Sequence, residues 1–86
     1  MASFLIESPH TKDDCVKAIQ YVHAAGYLTH FHWGCKSGDH TGYAILDAKD
    51  KAEALMVVPT MGRPRARVIE LTQFTPAEIK AMHDKG

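Results

Sequence analysis

Apolar residues in this chain follow two rhythms. Short clusters bounded by Pro, Gly or charged residues suit strands, and positions recurring every three or four residues suit helices. Residues 3–8 form a first strand cluster, stopped by Pro9. Thr11-Lys12-Asp13-Asp14 then resembles a capping box, and Cys15, Ala18, Ile19 and Val22 follow at helical spacing up to Gly26. Residues 28–35 and 41–48 are two strands rich in aromatic and bulky side chains, joined by the hairpin signal Lys36-Ser37-Gly38-Asp39. Asp50 caps a second helix, with Glu53 three residues on, and Pro59 closes it. A loop over 60–64 leads to a last strand over 66–74. Thr75-Pro76-Ala77-Glu78 then starts a terminal helix.

This order, β-α-β-β-α-β plus a short C-terminal helix, predicts a single α+β domain. The expected architecture is a ferredoxin-like antiparallel sheet with the helices on one face and the other face open. Strand period two places Thr29, Phe31, Trp33 and Cys35 with His40, Gly42, Ala44 and Leu46 under the helices. It places His30, His32 and Gly34 with Tyr43, Ile45 and Asp47 on the open face. On the outer strands Phe4, Ile6, Ile69 and Leu71 are expected in the core, with Leu5, Glu7, Val68 and Glu70 on the open face. That face is too apolar for plain solvent surface and too polar for plain core, and two such faces meeting would enclose a pocket.

Composition narrows the classes of function. A chain of 86 residues hides only roughly 60% of its unfolded surface when it folds, so association is expected to help it. The composition, 45% apolar and 23% charged, is that of a soluble globular protein, with no run of about 20 apolar residues to span a membrane. The start of the chain lacks a signal-peptide pattern, and a cytoplasmic location is the resulting expectation. Ten basic and ten acidic residues cancel, which disfavours nucleic acid and anionic membranes as partners. Thr41-Gly42-Tyr43-Ala44-Ile45-Leu46 partly resembles the third-strand motif of RNA-recognition domains. It lacks the leading basic residue and the second aromatic. The two cysteines, in a reducing compartment, read as thiols rather than a disulfide.

In architecture and length the whole chain resembles the small dimeric α/β-barrel proteins of ferredoxin-like fold. That superfamily includes muconolactone isomerase, antibiotic-biosynthesis monooxygenases, YCII-like proteins and small nickel-binding proteins. Trp33-Gly34-Cys35 followed by Gly38 and His40 is similar to uncharacterised small proteins of this type. The resemblance implies a homodimer with a ligand site on the open sheet face, and it transfers no catalytic residue.

The candidate chemistry lies in the histidines and cysteines. Five of six histidines lie from His10 to His40, and imidazole and thiolate both bind borderline-soft metals or carry acid/base chemistry. His30 and His32, alternate residues of one strand, point the same way about 7 Å apart and can converge on one ion. Glu7 or Glu70, or a histidine from a partner subunit, would complete the site, and Glu7, His10, Tyr43 and Glu70 would touch a ligand. Two half-exposed strand histidines are the plain alternative. A second pair, Cys35 and His40, faces across the hairpin mouth, where an imidazolium would lower the thiol pKa or both groups would ligate a metal. Here the plain alternative is a buried cysteine beside a turn histidine. His10 follows Pro9, and neighbouring first and third strands running parallel would bring it toward Asp47 as an acid/base pair. His23 complements a helix dipole, and His83 is solvated. The basic run from Gly62 to Arg67 can hold a carboxylate or phosphate, or be a solvated edge.

The resulting expectation is a cytoplasmic homodimer that binds Ni²⁺, Zn²⁺ or Cu²⁺, or a small ligand, in a His-rich pocket. Its rivals are a metal-free isomerase or monooxygenase-like enzyme using histidine acid/base chemistry, and a ligand-free structural or regulatory dimer.

Overall fold

The computed structural model describes residues 1–85. It contains β1 (Ala2–Pro9), α1 (Cys15–Ala24), β2 (Phe31–Trp33), β3 (Thr41–Ala48), α2 (Lys51–Leu55), β4 (Arg67–Leu71) and α3 (Pro76–Lys85). The strands form one four-stranded sheet in the order β2-β3-β1-β4, with every neighbouring pair antiparallel. Among the described residues no helix is long and apolar enough to cross a membrane.

Local signals set most element ends. Gly26, at φ 86°, closes α1 in the left-handed region. Its N–H donates to the His23 carbonyl at 3.0 Å and the Tyr27 N–H donates to the Val22 carbonyl at 3.1 Å, the paired bonds of a Schellman cap. The Glu53 N–H donates to Asp50 Oδ1 at 2.8 Å and caps α2. Before α3 the cap is reciprocal, with Glu78 N–H on Thr75 Oγ1 at 3.1 Å and Thr75 N–H on Glu78 Oε2 at 3.4 Å. Thr11 caps differently from expectation. Its side chain makes no cap bond, and a 3₁₀ turn over Lys12–Asp14 precedes the α-helix.

The core lies on one sheet face. Phe4, Ile6, Phe31, Ala44 and Ala48 from the strands pack with Val22 of α1, Ala54 of α2 and Val57 and Val58 beyond it. Trp33 lies opposite Gly42, one of the small residues the strand period places on its side. A Cβ at Gly42 would sit 2.8 Å from Trp33 Cζ3, so the missing side chain is what admits the indole.

Three further expectations are corrected. The strand expected over 28–35 shrinks to Phe31–Trp33, and 3₁₀ turns at Leu28–His30 and Cys35–Ser37 take the rest. Thr29, His30 and Cys35 therefore lie on turns. Gly34 is pressed against the chain ahead of β3, where a Cβ would be 2.7 Å from the Asp39 carbonyl oxygen. This crowding, with Gly38 at φ 88°, turns the backbone out of the ladder. Second, β4 has the opposite phase. Val68 pairs with Ile6 and Glu70 with Phe4 on the covered face, while Ile69 pairs with Leu5 and Leu71 with Ser3 on the open one. Val68 and Ile69 are adjacent and equally apolar, and a one-residue slip exchanges the faces. Third, β1 and β3 are neighbours but antiparallel. Asp47 therefore lies opposite Ser3, whose hydroxyl donates to it at 2.6 Å, at the far end of β1 from His10.

Candidate metal centre

One end of the sheet gathers four chain segments. The ladder between β1 and β3 runs to the pair Pro9–Thr41 and continues one step further, where the His10 N–H donates to the His40 carbonyl at 2.9 Å. The 3₁₀ turn beginning at Cys35 folds back over the same end, tied by Gly34 N–H to the Thr41 carbonyl at 3.1 Å. From His10 the chain turns through Lys12–Asp14 and delivers Cys15 as the first residue of α1.

The four side chains so delivered are in mutual contact. His10 Nε2 lies 3.1 Å from Cys15 Sγ and 3.3 Å from Cys35 Sγ. The two sulfurs are 2.7 Å apart, both as free thiols. His40 Nδ1 is 3.2 Å from Cys15 Sγ. All four donor atoms fall within 4.8 Å of one another, and all four residues are half-buried, so the group can hold a metal ion. Around a tetrahedral zinc, with bonds of 2.0–2.3 Å, neighbouring donors stand about 3.4–3.8 Å apart. Metal binding to this set requires side-chain rotations that lengthen the contacts of 2.7–3.3 Å to that size.

Electrostatics corrects the activated-thiol expectation. Burial pushes the Cys35 thiol up to about 11, and the Cys15 thiol beside it adds to the rise. The histidine in contact with Cys35 is His10, while His40 touches Cys15. Cys35 is thus a protonated thiol at neutral pH until a cation displaces its proton. Asp39 braces the turn. It accepts from the Tyr43 hydroxyl and, at 2.8 Å, from Thr41 Oγ1, and these bonds, the tyrosine's first, hold its carboxyl below the usual range. The same contact with Asp39 raises the Tyr43 phenol.

The structure brings three of the candidate residues, His10, Cys35 and His40, to one point and adds Cys15. The sequence carried a signal for this set. His10 and Cys15 are separated by four residues, and Cys35 and His40 by four in mirror order. The remaining candidates lie elsewhere. His30 and His32 are exposed and, with Tyr43, line a shallow groove on the open face. Glu7 pairs with Arg67 at 3.2 Å. Glu70 is exposed on the covered side of the sheet, away from the face on which it was expected.

No protein-family model, curated protein or solved structure matches this chain.

Proposed function

We propose that this chain is a small metal-binding protein in which His10, Cys15, Cys35 and His40 hold one divalent transition-metal ion. The carrying observation is that four soft or borderline donors from four separate segments converge within 4.8 Å. Two thiolates and two imidazoles suit Zn²⁺ above the harder cations, and Ni²⁺ and Cu²⁺ are its competitors. Four protein ligands complete a tetrahedral shell and leave no open position for substrate. This favours a structural site over a catalytic one. Retaining two thiols as ligands suits a reducing compartment such as the cytoplasm. Titration of untagged, reduced protein with Co²⁺ is expected to saturate at one ion per chain, with visible bands of a tetrahedral thiolate complex. Absence of those bands at stoichiometric Co²⁺ refutes the assignment.

Assembly is a second part of the proposal. The strand order and the helix–strand alternation support the ferredoxin-like reading, and the uncovered face supports the dimeric barrel. Ile45 on that face is 64% exposed. Phe74, Ile79 and Met82, in and before α3, are also exposed. The radius of gyration is 15.8 Å, against about 12 Å for a compact chain of this length. A second copy laid on the open face would cover Ile45. Sedimentation at micromolar concentration is expected to give the dimer mass, and a monomer throughout that range would refute it.

A further inference from the structure

Cys15 and Cys35 reach the cluster from different elements, one as the first residue of α1 and the other as the first residue of the 3₁₀ turn after β2. Neither lies in the sheet ladder, so their side chains can turn without breaking a strand pairing. Both are partly exposed free thiols. They are the only two cysteines of the chain, so a single intramolecular pairing exists.

Their sulfurs are 2.7 Å apart. A covalent S–S bond is about 2.05 Å long, whereas two thiolates on one tetrahedral zinc stand about 3.8 Å apart. The contact falls between the two. Metal binding therefore moves the sulfurs apart and disulfide formation moves them together. Each outcome also excludes the other, because a disulfide sulfur no longer carries the thiolate charge that binds zinc.

We infer that Cys15 and Cys35 are a redox-active pair whose reversible disulfide expels the metal ion, and the expulsion rests on the metal reading above. The oxidant is a small organic disulfide, R–S–S–R. One cysteine sulfur attacks it to give a mixed disulfide and release the first R–S group, and the neighbouring cysteine sulfur then displaces the second. The R–S–S–R bond and both sulfur–zinc bonds break, one S–S bond forms, and two electrons pass to the departing R–S sulfurs. These take up two protons, from solvent in the zinc-loaded chain and from the cysteine thiols in the metal-free one. Zn²⁺ departs because His10 and His40 alone supply half of its shell. The new bond joins α1 to the turn after β2, across 20 residues of sequence, the same segments that the ion would hold. Oxidation thus exchanges one cross-link for another and keeps these segments together.

Zinc-loaded and metal-free samples of the untagged protein, equilibrated with graded ratios of oxidised to reduced glutathione, test this, with the disulfide counted by alkylation and intact mass. In the zinc-loaded sample one Zn²⁺ is expected to pass to a chromophoric chelator for each internal disulfide formed. In the metal-free sample the equilibrium constant for that disulfide is expected to be at least about tenfold larger than for the same chain in urea, because the fold presents the sulfurs to each other. Equal constants with and without urea, or glutathione adducts that accumulate without the internal bond, overturn the redox pair. Zinc retained by the disulfide form overturns its coupling to the metal. A chain that forms the internal bond but takes up no ion overturns the metal reading, and the expulsion with it, while the redox pair stands.

Discussion

Replacing Cys15 by serine weakens Zn²⁺ binding by about 10²–10³-fold, and replacing both His30 and His32 by alanine leaves it unchanged. Structural zinc sites bind with an apparent free energy of about 10–16 kcal/mol, and one ligand of four accounts for about 3–4 kcal/mol. Each 1.4 kcal/mol is about a factor of ten. Cys15 is the informative position because its sulfur touches His10, Cys35 and His40. His30 and His32 lie exposed on turn and edge strand outside the cluster. Competition with a chromophoric chelator measures both variants. Full affinity in Cys15→Ser, or its loss in the histidine double variant, would move the site to the open face. The pH dependence has a definite sign. Below about 11 the Cys35 thiol holds a proton, which the metal must displace. Affinity therefore falls by at least about tenfold for each unit of decreasing pH. A flat profile between pH 8 and pH 6 would exclude Cys35 as a ligand.

Stripping the metal with a chelator lowers the melting temperature by about 15–30 °C. An ion present at about a thousand times its Kd stabilises the folded chain by about 4 kcal/mol. In a domain of this size each kcal/mol moves the melting point by about 4–8 °C. The structure gives a reason for such dependence. The buried core leans on small residues, Ala44, Ala48 and Ala54, with Phe4, Ile6, Val22 and Val58 as the largest fully enclosed side chains. A core of that size supplies little stability alone, and small domains often add a metal or a partner to compensate. An ion held by the four donors would also staple α1 and the turn after β2 to the end of the β1–β3 ladder, joining segments far apart in sequence. Thermal melts followed by circular dichroism, with and without excess chelator, decide the matter. A shift below about 5 °C would make the ion peripheral to the fold.

The sequence by itself determined the element order, the helix caps at Asp50 and Thr75, the stop at Gly26 and the placement of Trp33 on the covered face with Gly42 and Ala44. Each of these depends on residues within a few positions of one another or on the strand period of two. It also concentrated attention on the segment from His10 to His40, because imidazole and thiol carry their chemistry wherever they stand. The tertiary structure alone decided which of those groups meet. His30 and His32 share an exposed groove on the open face, while the 3₁₀ turn at Leu28–His30 takes His30 off the strand. His10 and His40 became neighbours through the antiparallel register of β1 and β3, and helix α1 had to begin at that same end to bring in Cys15. The phase of β4 was equally undetermined locally, since Val68 and Ile69 offer the core the same apolar surface and only pairing with Ile6 and Leu5 chose between them. Local sequence sets the conformation of each segment. Ligand convergence depends on register between segments tens of residues apart, which packing of the whole core selects.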